Sequence, residues 1–394
     1  MRKSFLFVLF LVLGLNLPSG YCYALLILIL ISALFYLLAT HIKIKYKRGI
    51  DFIPMSFFLI WVYGLFMGYY NGNKVSYIVA NFAGMFCYLL YYVLIILDVS
   101  VAKLVNVLKI TTISTSIIAI IYYTLGLFDI NAAFLYSFLG GINQGSSTGQ
   151  LRVYFTDLSV GFSLWFISFV YLLIGRMEKH IFLLQGIKHR SYILFLLLTT
   201  FVLYFVTASK GFMLAGVFYI FLTPILLYGK KMTSGKMSNN VFFFVALFVL
   251  IVLVLVTSDY VNIVMNIFDT EDDSNEIRYL QLAYIVEDVS WWGKGLGAVI
   301  PNFSRNDEAE YGFELTYINL IHKFGIFSCV LFLNWVYVLF KACRNVYHRK
   351  NVFNSSLSLG CMGYLFPSVG NPLLMHPACV LLNCIALYLL RKKE

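Results

Sequence analysis

A chain of 394 residues that is 61% hydrophobic and 12% charged, with a mean hydropathy of +0.85, lies outside the range of soluble domains and reads as a polytopic membrane protein. The net charge of +11 calls for no nucleic acid, because basic loops lying against anionic lipid headgroups account for it. Seven cysteines fall in expected spans or in loops on the basic side, which excludes disulfides in the outer loops; they read as packing residues.

The apolar start "FLFVLFLVLGL" resembles a signal-peptide core, but a second apolar run follows at once with no small-residue cleavage site, so it reads as the first span. Crossing ~30 Å of hydrocarbon takes about 20 apolar residues. Runs of that order predict twelve spans, at 4–18, 21–40, 52–70, 75–97, 108–127, 153–175, 191–208, 211–228, 240–258, 313–340, 354–370 and 377–390. Lys and Arg test the assignment, since they concentrate in short cytoplasmic connections. One side collects 22 of the 29 basic residues, including both ends of the chain, which places both termini in the cytoplasm. The other side holds Lys74, Arg152, Lys210, Arg278, Lys294, Arg305 and Lys323.

Two outer connections have length. The first, 128–152, has a flexible Gly/Ser/Asn/Gln composition and ends in Arg152 at the mouth of the next span. The second, 259–312, divides the chain into spans one to nine (1–258), an external loop, and spans ten to twelve (313–394). Within it, Asp273 and Glu276 form a capping-box-like pair before an amphipathic helix expected over 275–288. Ile277, Leu280 and Tyr284 recur there at helical spacing with Leu282 and Ile285 beside them, which predicts a lid lying on the membrane. Trp291 and Trp292 suit the membrane–water interface. "WWGKGLG" reads either as a tight turn or as a loop whose backbone N–H groups approach an anion, with Lys294 solvated. Glu314 is expected in the first turn of span ten, where the helix dipole favours a carboxylate whatever its function. Gly325 falls three turns on along the same face, and His322 reads as a satisfied buried histidine in preference to a proton relay.

Three local features carry a family resemblance: "TASKG" (207–211) at a span hairpin, an Arg-led loop helix followed by "WWGKGLG", and "ELTYINLIHKFGI" (314–326) opening the next span. Together they resemble the O-antigen ligase and polymerase superfamily, and most of all its Wzy-type polymerases. The resemblance implies an all-α, many-span inner-membrane protein that acts at the periplasmic face on glycans carried by undecaprenyl pyrophosphate. It also implies a chain-length regulator (Wzz-type) and a flippase (Wzx-type) as partners. The polar residue of the family's hairpin motif falls on Lys210, where an arginine is usual, and the arginine opening the loop helix falls on Arg278. Glu314 stands where ligases carry their proposed catalytic histidine, which argues against a ligase, and the repeated arginine motif of some polymerases is absent.

Such a polymerase transfers a glycan from one lipid pyrophosphate to a sugar hydroxyl on another, so it needs cations for the leaving group and a base for the nucleophile. Arg278, Arg152, Lys210 and Arg305 are of the type that binds pyrophosphate, although Arg305 beside Asp307 and Glu308 also suits simple ion pairing. Glu314 is the candidate catalytic base. With scattered histidines and no DxD-like carboxylate pair, the expected site uses no metal and no cofactor. A twelve-span transporter, the pathway's flippase included, is the rival outside the enzymes. It should show two related halves or charges along a central cavity.

Overall fold

The computed structural model describes residues 1–15, 17–40, 46–47, 49–84, 86–130, 143–147, 150–175, 182, 188–232, 273–301, 303–304, 310 and 312–392. In chain order its helices are α1 (Arg2–Gly14), α2 (Ser19–Thr40), α3 (Phe52–Tyr70), α4 (Val75–Ala83), α5 (Phe86–Ile96) and α6 (Val101–Leu127). An antiparallel hairpin of β1 (Asn143–Ser147) and β2 (Gln150–Tyr154) follows, with Gly145 opposite Arg152. Then come α7 (Ser159–Ile174), α8 (His189–Thr200) with a π-helical turn at Phe201–Val206, α9 (Lys210–Met232) and α10 (Asp273–Asp288). The chain closes with α11 (Thr316–Phe324), α12 (Ser328–Tyr347), α13 (Val352–Cys361) and α14 (Pro377–Arg391).

Among the described residues, eight helical segments are long and apolar enough to cross a membrane: Gly20–Thr40, Phe52–Tyr70, Val75–Ile96, Val101–Leu127, Thr156–Ile174, His189–Val206, Lys210–Gly229 and Thr316–Tyr347. The protein is therefore an all-α, multi-pass membrane protein. The expected ninth span, 240–258, lies outside the described residues. Three other expected spans are shorter helices: α1 has 13 residues, α13 has 10 before two 3₁₀ turns, and α14 has 15. At 1.5 Å per residue they rise only about 15–22 Å. Hydropathy counts an apolar residue equally whether it faces lipid or protein. Here every residue of α14 from Pro377 to Leu390 is buried, so its apolar surface meets other helices.

α13 and α14 occupy the centre, packed on each other and on α7 and α5. Side-chain hydroxyls tie this core to neighbouring backbone: Tyr219 donates to Leu359 O (2.9 Å) and Tyr388 to Val99 O (2.7 Å). At one end of the bundle the buried Asp51 accepts from Tyr91 Oη (2.5 Å), Arg391 Nε (2.9 Å) and the Lys47 amide (2.6 Å), while Lys392 pairs with Asp98. The opposite end of α3 carries the turn at Asn71–Asn73, and there the candidate site is built.

Candidate functional site

Helix α10 and the segment 314–322 run in the same direction, joined by three polar contacts. Arg278 Nε donates to Glu314 Oε2 at 3.1 Å, the Leu315 amide donates to Gln281 Oε1 at 3.1 Å, and His322 Nε2 lies 2.8 Å from Asp288 Oδ2. Positions 278, 281, 285 and 288 are three or four apart, so they share one face of a helix. That face turns inward, with Ile285 packed on Ile300 and Phe313 in a small separate core. Of the expected apolar set, Ile285 is buried at this face, whereas Leu280 is 46% exposed on the outer side together with Tyr279 and Val286. Arg278, Gln281 and Asp288 each find a partner there, which offsets the cost of turning polar side chains inward, although Gln281 Nε2 has no partner among the described residues.

The surroundings of Glu314 also differ from expectation. α11 begins at Thr316 and has no acidic residue in its first turn, so Glu314 precedes the helix and serves as the partner of Arg278. The helix then stops at Gly325, whose φ of +54° suits glycine and whose position is approached by the Trp291 carbonyl, the acceptor for the Ile326 amide at 2.9 Å. Gly325 is thus a break, not part of a continuing face. The 20 residues of α12 below it rise about 30 Å, enough by themselves to cross the hydrocarbon.

The glycine loop resolves into a clasp. Gly293 donates to Ser290 O, Lys294 to His322 O, Gly295 to Lys323 O, Leu296 to Gly64 O and Gly297 to Asn81 Oδ1, leaving none of these amides for an anion. The tight-turn reading holds and the anion-loop reading falls. Lys294, expected to be solvated, bonds Asp288 at 2.7 Å. Burial pushes the Asp288 carboxyl up, but its bonds to Lys294 and His322 outweigh this and hold it below the usual carboxylate range. Trp291 and Trp292 stay exposed beside this clasp, at 80% and 62%. Beneath it the buried Lys323 Nζ donates to Asn81 Oδ1 at 2.7 Å and lies 5.2 Å from the Phe313 ring centre. His322 is satisfied at Nε2 only; Nδ1 has no hydrogen-bond partner among the described residues.

A third segment, 367–371, packs beside the pair. A Cβ on Gly370 would lie 3.4 Å from Arg278 Nε, and Thr316 Oγ1 donates to Asn371 O at 2.6 Å. At its other end Pro367 is so close to Gly211 that a Cβ there would sit 2.4 Å from the Pro367 Cα, which sets Lys210, the first residue of α9, beside the same segment. The structure therefore pairs Arg278 with Glu314 and brings Lys210 to the segment that covers Arg278. Arg152 stands exposed on β2 and makes no hydrogen bond or ion pair with either member of the pair among the described residues; Arg305 lies outside them.

Sequence reasoning missed Gln281, Asp288, Asn81 and Thr316. The three–four–three spacing of Arg278, Gln281, Ile285 and Asp288 was a readable signal, and so was an asparagine inside the apolar run 75–96. Among the described residues, no group of three or more His, Cys, Asp and Glu side chains converges as metal ligands do.

Fold and site together define an all-α, multi-pass membrane protein with an Arg278–Glu314 ion pair at one end of its helix bundle. No protein-family model matches the chain, and no curated protein matches it.

Proposed function

We propose that this protein is a glycosyltransferase that polymerises undecaprenyl-pyrophosphate-linked oligosaccharide repeat units into O-antigen polysaccharide. In this reading it spans the bacterial inner membrane twelve times with both termini in the cytoplasm. Residues 259–312 and the Arg278–Glu314 pair face the periplasm, where a chain-length regulator and a flippase are its partners. The observation that carries the reading is the 3.1 Å contact between Arg278 and Glu314, which joins a cation suited to phosphate and a candidate base at one place.

The reaction forms a bond between an acceptor hydroxyl oxygen and the donor's anomeric carbon, and breaks the bond from that carbon to the pyrophosphate. A guanidinium carries five N–H donors. When pyrophosphate arrives, Arg278 turns donors to it and Lys210 adds a second positive charge, stabilising the charge that develops on the departing group. The carboxylate of Glu314, released from Arg278, accepts the proton of the attacking hydroxyl. The resting ion pair thus keeps both groups in place until the substrate separates them.

A deletion strain complemented with Glu314→Gln tests this. The expected outcome is normal protein level with single-repeat, semi-rough lipopolysaccharide, the product of ligation without polymerisation. A normal ladder on the gel would overturn the assignment of Glu314. A strain with no O-antigen units at all would point instead to a ligase or flippase.

A further inference from the structure

The end of α12 remote from Gly325 holds a second site. Tyr337, Phe340, Lys341, Arg344, His348 and Lys350 line an open cavity of about 300 Å³, and none of its lining residues is acidic. Residues 337, 341, 344 and 348 are three or four apart and so share one face of the helix end. Lys341 Nζ reaches the Tyr337 hydroxyl at 3.4 Å and lies 5.5 Å from its ring centre. Among the described residues Lys341, Arg344 and Lys350 have no acidic partner, whereas Arg391 and Lys392 at the same end of the bundle are matched to Asp51 and Asp98. Carbonyls at a helix C-terminus favour cations, but they do not supply the negative charge that three cations and a histidine around one cavity can accept.

The wall of the cavity identifies the ligand's other half. Tyr337 and Phe340 are 41% and 63% exposed and continue the outward apolar stripe of Val330, Leu333 and Val336. Lys341 lies about 20 Å and Tyr347 about 28 Å along the axis from Ser328, so the apolar stripe gives way to cations near the hydrocarbon edge. A soluble anion would leave this aromatic wall unused. We infer that the cavity binds an anionic phospholipid, its phosphoryl headgroup on Lys341, Arg344 and Lys350 and the start of its acyl chains against Tyr337 and Phe340.

Charge-assisted bonds to phosphate oxygens supply selectivity over a zwitterionic lipid, whose own cation opposes the cluster. The lipid fastens the far end of the helix whose near end leads through Gly325 into α11. The site stands independently of the reaction proposed for the other face.

Full-length protein, delipidated in detergent, is titrated with phosphatidylglycerol and with phosphatidylcholine, and bound lipid is counted by native mass spectrometry. Phosphatidylglycerol should bind at least tenfold tighter. Lys341→Gln combined with Arg344→Gln should lose at least tenfold, while Lys103→Gln combined with Lys109→Gln, which removes equal charge from α6, should not. Phe340→Gln keeps every charge and should weaken phosphatidylglycerol binding at least threefold, so the proposal remains testable if the double variant unfolds. Equal binding of the two lipids, or equal losses from both double variants, would overturn the site. Displacement of phosphatidylglycerol by an equal concentration of glycerol phosphate would overturn the lipid assignment in favour of a soluble anion. None of these outcomes bears on polymer formation.

Discussion

Arg278 Nε rests 3.1 Å from Glu314 Oε2, an ion pair that joins helix α10 to the approach to α11 across 36 residues of sequence. The two side chains are 29% and 21% exposed, so solvent still screens them. A double-mutant cycle with Arg278→Gln and Glu314→Gln should return a coupling of about 0.5–1 kcal/mol in stability. Polymer formation should fall on the order of a hundredfold for Glu314→Gln. A coupling of several kcal/mol with unchanged polymer would make the pair purely structural. Arg278→Lys should shorten polymer at unchanged protein level, since lysine keeps the charge but lacks the planar fork.

Lys323 and Asn81 make an asymmetric pair. Asn81 Oδ1 accepts both the Lys323 amine and the Gly297 amide. Asn81→Leu removes the acceptor shared by two buried donors, the Lys323 amine and the Gly297 amide, at a cost of about 1–3 kcal/mol. Lys323→Met removes one donor and keeps much of the volume, and should cost far less. Unfolding temperatures of the two variants in detergent check the order, and equal losses would contradict it.

The docking of α10 depends on acid in a defined direction. Because Lys294 and His322 hold the Asp288 carboxyl below its ordinary value, its contribution is complete above the unfolded-state pKa of about 3.9. It is lost as pH falls through the lower folded value. Hydrogen exchange of residues 273–288 should therefore stay constant from neutral pH to about 4, once corrected for intrinsic rates, and rise below it. Asp288→Asn should abolish that acid-induced rise. Loosening that begins between pH 5 and 7 would assign the docking to another group.

The glycine clasp offers a paired control. Gly295 has φ +80° and a Cβ there would lie 2.0 Å from the Gly68 amide nitrogen, while Gly72 has φ +74° and nothing within 4 Å. Gly72→Ala should cost only the backbone term, about 1–2 kcal/mol. Gly295→Ala adds a backbone collision and should open the clasp, read as increased proteolysis near Trp291. Similar behaviour of the two variants would show that the close approach carries no energy.

Reporter fusions test orientation. Alkaline phosphatase inserted at Asn275 should be active and a fusion after Glu394 inactive, with a cytoplasmic reporter giving the reverse. Opposite signals would invert the proposed topology and remove the periplasmic site with it.

Hydropathy determined the class. A chain in which 61% of residues are hydrophobic has no soluble solution, and all eight long segments fall on runs visible in the sequence, because span length is a local property set by membrane thickness. The existence of α10 was local as well, written in its helical spacing, and so was the turn at the three glycines. Which face of α10 turns inward was not local. Leu280 and Gln281 are neighbours in sequence, and only the arrival of the Leu315 amide and the Asp288 partners made the polar face the buried one. The same holds for Glu314, which alone in sequence resembles a helix-start acid and acquires its partner only when α10 packs alongside. The break at Gly325 and the burial of α14 also needed the fold, since each depends on a distant segment, the Trp291 carbonyl in one case and helices α5, α7 and α13 in the other. Sequence fixes what each segment can do by itself, and contacts between segments choose among those options, because a buried polar group is stable only where a partner from elsewhere in the chain meets it.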